Sequence, residues 1–266
     1  MIYAFGLLLW LCASLLTMGV LCFLSAVVFW VLPNQATHKI MWFWYEHWVC
    51  MLGWWVRKLI PNIQLDIDKP SKNTPYIMIA NHYSWLDILV LYATVFGHDR
   101  AFVFVMKRSL IKIPMIGIVC WGLGHPLLYR GKSRRKNLVI LKQATEKAVD
   151  YQHGIMIFPE GTRYTKVSNP PTSLQHLLKP RTVGFEYIAK TISEKVEVID
   201  VTLVYGSSQH GIMDFLLGKT GRVKVIAKRH IVSAKDAEEW LLDTWSKKDQ
   251  VIQEVRSVWA DDGSQS

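Results

Sequence analysis

The stretch YIMIANHYSWLD, residues 76–87, decides the fold of this chain. Its first five residues are apolar and rich in β-formers, which predicts a buried strand over Tyr76–Ala80. The apolar run that follows predicts a helix, with Ser84 as its N-cap and Asp87 in its first turn. His82 and Asp87 should therefore meet on the turn between strand and helix. In open α/β folds, reactive groups collect at that edge of the sheet.

The His82–Asp87 pair fits general base catalysis. A neutral imidazole takes a proton from an attacking hydroxyl, while the carboxylate holds the ring in one tautomer and stabilises the cation that forms. The alternative is that His82 is an ordinary polar residue at a strand end with an acid nearby by chance. Because the spacing alone is weak, a second motif is needed to decide between them.

That second motif is FPEGTR, residues 158–163, about 70 residues downstream at the end of another short apolar strand. Gly161 lets the backbone approach a ligand closely. Arg163 offers a planar fork that suits phosphate oxygens, and Glu160 could hold that fork or a substrate hydroxyl in place. The alternative is a Pro-Gly turn with a surface ion pair. Two strands would thus deliver polar turns to one rim of the same sheet.

Together the two motifs resemble those of the glycerolipid acyltransferase superfamily, whose best-known members are the 1-acylglycerol-3-phosphate acyltransferases. NHYSWLD matches the family's NHxxxxD block, and FPEGTR matches its block of the same sequence, in the same order. Two weaker blocks depart from the family. Residues 124–130 keep the glycine and arginine of GxxFxxR but have Leu127 for phenylalanine, and the strand at 198–205 lacks the usual proline. The missing proline, together with LLKPRT at 177–182, makes the chain more similar to the lysocardiolipin and lysophospholipid branch than to the short bacterial housekeeping enzymes.

The resemblance implies transfer of an acyl group from a thioester to the free hydroxyl of a lysophospholipid, with His82 as the base and Asp87 as its orienting partner. It assigns substrate binding to Asn81, Lys107, Arg130, Glu160, Gly161, Thr162 and Arg163. No cofactor or metal is expected, since acyl-CoA or acyl carrier protein would serve as the donor substrate. A thioester is already activated, so no covalent acyl-enzyme is required, which fits the absence of a GxSxG elbow. The alternatives are a lipid-binding relative without activity and a hydrolase that uses the same pair.

The first 37 residues carry no charged side chain. The apolar run from Met1 to Leu32 is long enough, at ~1.5 Å per residue, to cross a ~30 Å hydrocarbon core, which predicts a membrane anchor. A secretory signal peptide, the competing interpretation, would have a basic n-region and a shorter apolar core. Basic residues after the anchor predict a catalytic domain on the cytoplasmic side. The membrane would be the cell membrane in a bacterium, or the endoplasmic reticulum or mitochondrion in a eukaryote.

Five tryptophans lie within His38–Ile60, and amphipathic rings of this kind favour the headgroup level of a membrane. We interpret this segment as an interfacial helix that forms, with the anchor, a two-helix lipid-embedded element over residues 1–60. The alternative is a core helix of the soluble domain.

The chain carries a net charge of +10, and residues 100–190 hold 16 Lys or Arg against four acids. A basic surface suits a phospholipid membrane with anionic headgroups and a phosphate-bearing acyl carrier. Nucleic acid is not expected as a partner, because the sequence contains no nucleic-acid-binding motif.

Residues 61–260 are predicted to form one α/β domain, with a mainly parallel sheet flanked by helices and a disordered tail at 261–266. The predicted strands are Tyr76–Ala80, Ala101–Val105, Pro126–Tyr129, Ile155–Phe158, Val196–Tyr205 and Arg222–Ala227. The predicted helices are Trp85–Phe96, Lys132–Tyr151, Arg181–Glu194 and Ser233–Val258, the last beginning at a capping-box pattern.

Overall fold

The structure is a computed structural model of the 266-residue chain. It describes residues 35–60, 62–71, 74–94, 102–112, 120, 123–131, 134–164, 174–206, 214–215, 217 and 219–264, and, nearer the N-terminus, 5–6, 9–10, 13–14, 16–17, 20–21, 24–25 and 28.

A six-stranded sheet, in the order β1-β8-β7-β2-β6-β3, forms the centre of the domain. Its strands are β1 (Ile63–Ile67), β2 (Tyr76–Ala80), β3 (Phe102–Phe104), β6 (Gly154–Ile157), β7 (Lys195–Tyr205) and β8 (Val223–Ser233). Neighbouring strands run parallel except for β7 and β8, which are antiparallel along their whole length. A separate two-stranded parallel sheet joins β4 (Met106–Lys107) to β5 (Leu127–Leu128).

Helices cover this sheet. They are α1 (Gln35–Leu59), α2 (Leu86–Thr94), α3 (Arg134–Asp150), α4 (Thr182–Ile192) and α5 (Ala237–Ser264), and a 3-10 helix spans Arg108–Lys112. Ser84 caps α2 as predicted, because its Oγ accepts a hydrogen bond from the N–H of Leu86 at 3.0 Å.

The central strand β2 is completely buried, as its continuous apolar sequence predicts. Removing one such side chain from water contributes about 1.5–3 kcal/mol. Because β2 runs parallel to both β6 and β7, with Ile79 opposite Ile157 and Asp200, the three strands end at one edge of the sheet. The turns that carry both motifs therefore lie side by side.

The prediction of a mainly parallel sheet flanked by helices is confirmed, with corrections to its elements. Strands β1 and β4 were not predicted. Strand β8 continues to Ser233, where it pairs with Lys195, so the last helix begins at Ala237 rather than at the predicted capping box. Pairing with β7 carries β8 through the polar residues 228–230, where the sequence pattern predicts an end. The predicted disordered tail is helical as far as Ser264.

The predicted membrane anchor falls mainly on positions of 1–34 that lie outside the described residues. Among the residues that are described, no helix combines the length and apolar character needed to cross a bilayer.

Helix α1 has two different faces. One face packs into the core and buries Trp42, Tyr45 and Val56. Other side chains of α1 are large, apolar and about half exposed, namely Ile40, Phe43, Trp44, Met51 and Trp54. The buried face agrees with the alternative of a core helix. The exposed apolar side chains are the ones that an interfacial helix would insert into the headgroup layer of a membrane.

Candidate active site

The imidazole of His82 and the carboxylate of Asp87 form a hydrogen bond, with Nδ1 and Oδ2 2.8 Å apart. An ionised carboxylate only accepts hydrogen bonds, so Nδ1 carries the proton and donates it. The opposite nitrogen, Nε2, then presents a lone pair, and no hydrogen bond to a described residue occupies it. The His82 side chain is 17% exposed, so part of the imidazole is open to solvent.

Asp87 is fully buried in the first turn of α2 and is surrounded by donors. Its Oδ2 also accepts the backbone N–H groups of Tyr83 at 2.6 Å and Ser84 at 2.8 Å. Its Oδ1 accepts the hydroxyl of Tyr205, at the end of β7, at 2.7 Å. The helix N-terminus favours the negative charge as well. The carboxylate is thus held in one orientation, which fixes the imidazole.

The backbone of His82 joins the two motif turns. Its N–H donates to Oε1 of Glu160 at 3.1 Å, and its carbonyl accepts the N–H of Tyr164 at 2.7 Å. The ring of Phe158, at the end of β6, stacks on the imidazole with centroids 4.1 Å apart. The second motif and Tyr164 therefore hold His82 in place, by hydrogen bonds to its backbone and by stacking on its imidazole ring.

Glu160, expected to contact substrate, points inward and is only 2% exposed. Its two oxygens accept backbone N–H groups, from His82 through Oε1 and from Leu178 through Oε2 at 3.3 Å. Burial raises the pKa of this carboxyl to about 8, against the opposing effect of the two N–H donors and of Lys248. These hydrogen bonds give Glu160 a positioning role between the two motif turns, and its predicted contact with a ligand stays a prediction.

Asn81, predicted to bind substrate, is also placed differently. It is completely buried, and its amide forms two hydrogen bonds with the backbone of Leu203 in β7, at 2.9 and 2.8 Å. These bonds fix the start of the catalytic turn to the neighbouring strand. The amide is thus engaged within the fold, and the assignment of Asn81 to substrate binding stays a prediction.

Gly161, Thr162 and Arg163 form the exposed part of the second motif. Gly161 has φ +68°, a conformation that side chains other than glycine disfavour, so the glycine shapes the turn. The guanidinium of Arg163 lies over the ring of Trp85, 5.6 Å from its centroid. These three residues face solvent beside His82, as a predicted binding surface requires.

Lys107 and Arg130 lie together on the small sheet. Lys107 ends β4 opposite Leu128 of β5, and Arg130 follows β5 two residues later. Both are exposed. Among the described residues, neither forms a hydrogen bond or ion pair with the two motifs, so the structure leaves their roles as predictions.

Side chains of helix α5 hold the segment next to His82 in place. These contacts were not predicted from the sequence. The carboxylate of Asp249 accepts the N–H groups of Gln175 and His176 at 2.9 and 2.7 Å. Arg256 lies 2.9 Å from Nδ1 of His176, and the hydroxyl of Tyr83 donates to the carbonyl of His176 at 2.9 Å. The segment 174–178 is thereby held against the catalytic turn.

Lys248 of α5 is buried, with Nζ 2.7 Å from the carbonyl of Val201 and 2.5 Å from Oδ1 of Asp200. It occupies the same apolar face of the helix as Leu241, Trp245 and Ile252. A lysine in such a helical pattern of apolar residues is a signal that could have identified it. Tyr205 gave no such signal, because its hydroxyl is matched to Asp87 only by the fold.

The fold and the two motif turns agree with the class of protein predicted from the sequence, an acyltransferase. A family model described as Acyltransferase matches residues 30–206, and the chain belongs to that family. The family predicted from the two motifs is therefore confirmed.

Relatives of this chain carry related names. The probable 1-acyl-sn-glycerol-3-phosphate acyltransferase 5 of Arabidopsis thaliana is 25% identical and covers 88% of this chain. A 1-acyl-sn-glycerol-3-phosphate acyltransferase of Chlamydomonas reinhardtii is 30% identical over 64% of the chain. Lysophosphatidylinositol acyltransferase 10 of Caenorhabditis elegans is 25% identical over 73%. The matches span 68%, 46% and 56%, respectively, of the lengths of these relatives.

Among solved structures, the 1-acyl-sn-glycerophosphate (LPA) acyltransferase PlsC from Thermotoga maritima superposes with a TM-score of 0.54 at 17% identity. The match covers 91% of this chain and 95% of PlsC, and it shows that the two share a fold.

Proposed function

We propose that this protein is a membrane-bound acyltransferase that moves a fatty acyl group from a thioester donor to the free hydroxyl of a lysophospholipid, in phospholipid synthesis or remodelling. The observation that carries the proposal is the His82 imidazole, whose Nδ1 is fixed by buried Asp87 while Nε2 has no hydrogen-bond partner among the described residues and the side chain is partly exposed. The names of the relatives support a lysophospholipid acceptor.

The reaction begins when the acceptor hydroxyl donates its proton to Nε2 of His82. The hydroxyl oxygen attacks the thioester carbonyl and gives a tetrahedral oxyanion. Collapse of this intermediate forms the ester bond, breaks the carbon–sulfur bond and expels a thiolate. The imidazolium returns its proton to the thiolate, which leaves as a thiol. Asp87 stabilises the imidazolium throughout.

The acceptor phosphate is proposed to bind at the exposed part of the second motif, where Arg163 supplies paired donors and Gly161 and Thr162 supply close backbone. Lys107 and Arg130 would add positive charge from the small sheet. The acyl donor would be acyl-CoA or acyl carrier protein.

Membrane attachment belongs to the same proposal. The exposed aromatic side chains of α1 offer an apolar surface for the interfacial layer of a bilayer, and the uncharged residues 1–37 would extend the attachment as an anchor. The catalytic domain would then lie on the cytoplasmic side.

The test is an assay of purified full-length protein in mixed micelles, with acyl-CoA against a panel of lysophospholipids and product detection by mass spectrometry. Wild-type protein should form the diacyl product, and His82→Ala should reduce turnover by about 10² to 10⁴-fold. Lipid binding without product would favour the inactive relative, and fatty acid release without acceptor would favour a hydrolase. A His82→Ala variant that stays within a few-fold of wild type would refute the assigned base.

A further inference from the structure

The turn of the second motif is in contact with a second arginine, Arg181, which lies just before α4. The backbone N–H of Arg181 donates to the carbonyl of Pro159 at 2.8 Å. Its side chain crosses directly over Gly161: a Cβ built on that glycine would meet Cδ, Nε and Cζ of Arg181 at 3.3, 3.3 and 3.4 Å. The Arg181 side chain therefore lies next to the exposed turn that contains Arg163.

The charge at this turn is not neutralised within the described part of the chain. Arg181 and Arg163 are both exposed, and neither guanidinium forms an ion pair with a described carboxylate. Glu160, the acid of the turn, is buried and already accepts two backbone N–H groups. Two guanidinium groups at one turn, without a carboxylate to pair with them, make a surface for an anion with more than one charge.

We propose that Arg181 is a second phosphate-binding residue, which acts with Arg163 and selects acceptors whose phosphate is a monoester. This inference rests on the proposed function. A phosphomonoester carries about −1.5 to −2 charges at neutral pH, whereas a phosphodiester carries one, so a pair of guanidinium groups favours the monoester. Gly161 has a second role in this account, because a side chain at that position would crowd the side chain of Arg181.

The experiment compares Arg181→Ala with Lys179→Ala, which removes the same charge from an exposed residue two positions earlier. Each is assayed with a lysophosphatidate and with a lysophosphatidylinositol of the same chain. Arg181→Ala should raise the apparent KM for the monoester about tenfold, change that for the diester much less, and leave kcat nearly unchanged. The apparent KM of Arg181→Lys for the monoester should lie between those of wild type and Arg181→Ala, since lysine keeps the charge and loses the paired donors of the guanidinium. Lys179→Ala should resemble wild type.

A double-mutant cycle of Arg163→Ala and Arg181→Ala should show coupled effects on KM, because both groups are assigned to one phosphate. Additive effects would overturn the shared site. A rise in KM for acyl-CoA alone would assign Arg181 to the donor phosphates and overturn the acceptor proposal. An unchanged ratio of monoester to diester would also overturn it. If wild-type protein acylates neither acceptor, the proposed function itself fails, and the two failures are thereby distinguished.

Discussion

Asp87 does more than bind the neighbouring His82, because it also accepts hydrogen bonds from the turn and from strand β7. Its two oxygens receive four donors, from the imidazole, two backbone N–H groups and the hydroxyl of Tyr205. An acceptor-only group at this position is what fixes the tautomer of the base. Replacing it with an amide places N–H groups where only acceptors fit.

We expect Asp87→Asn to lose on the order of 10³ to 10⁴ in kcat, because the imidazole can then adopt the wrong tautomer. Tyr205→Phe is the matched comparison, since it removes one donor to the same carboxylate and keeps the ring, and it should cost only several-fold. Steady-state kinetics with a fixed acyl-CoA concentration would measure both. Equal losses in the two variants would contradict the tautomer argument.

Glu160 predicts how stability depends on pH. Its pKa is raised from 4.5 to about 8 in the folded protein, so between these values the folded state binds more protons than the unfolded state. The contribution of this carboxyl to the free energy of unfolding is therefore complete below about pH 4.5 and is lost as pH rises toward 8. Urea unfolding from pH 5 to 8 should show this decline in wild type and a flatter profile in Glu160→Gln.

Glu146→Gln is the control for this measurement, because Glu146 is about half exposed in an ion pair with Lys142 on α3. Its profile should follow wild type. Glu160→Gln should also be less stable below pH 5, since an amide nitrogen faces a backbone N–H that needs an acceptor. A decline from pH 5 to 8 of equal slope in all three proteins would assign the pH dependence to other groups.

At the scale of elements, the sequence predicted what is local and missed what the fold brings together. The strand Tyr76–Ala80, the cap at Ser84 and the hydrogen bond of His82 with Asp87 all lie within twelve residues, and all were predicted. The partner hydroxyl of Tyr205 lies 118 residues from Asp87. No local sequence pattern predicts this hydrogen bond, because it depends on which strands become neighbours in the sheet.

The edge of the sheet was missed for a related reason. Strand β1 is mostly exposed and contains Gln64 and Asp66, and it is a strand because β8 pairs with it. The β-propensity of this segment is weak, so its strand conformation depends on pairing with β8. The inward direction of Asn81 and Glu160 was also missed, since motif residues beside a catalytic histidine look alike in sequence whether they face a ligand or the backbone.

Helix α5 should influence catalysis through segment 174–178. Asp249→Asn removes one of the two acceptors for the N–H groups of Gln175 and His176, which should cost about 1–3 kcal/mol in the free energy of unfolding. Because that segment also holds Tyr83 and Glu160, turnover should fall even at temperatures where the variant is folded. Denaturant unfolding and acyl transfer at 15 °C would measure the two effects.

Asp243→Asn is the control on the same helix. Asp243 forms an exposed ion pair with Lys247, with Nζ and Oδ2 2.6 Å apart, and such pairs contribute about 0–1 kcal/mol. Both stability and turnover should remain near wild type. A normal turnover in folded Asp249→Asn would show that segment 174–178 does not position the site.

At the scale of the whole molecule, the proposed attachment to a lipid surface rests on the apolar face of α1 and on the net charge of +10. A chain that lacks residues 1–36 should still sediment with anionic vesicles, more weakly than the full chain, and salt should reduce its binding. Trp44→Ser combined with Trp54→Ser should weaken it further.

Val258→Ser serves as the control for lipid binding, since Val258 is an equally exposed apolar residue on α5. It should bind vesicles like its parent. If the truncated chain bound neutral and anionic vesicles alike, or if the tryptophan substitutions had no effect, the surface assigned to α1 would be wrong.

The two hydrogen bonds between Asn81 and Leu203 have a consequence for folding during synthesis. The partners are 122 residues apart, so β2 and its turn leave the ribosome long before β7 exists. Until then the apolar strand lacks the neighbour that completes its pairing, and a nascent chain in this state is prone to aggregate. Such long-range pairing is slow because loop closure precedes it. We therefore expect the turn that carries His82 to reach its final position only after β7 has been synthesised.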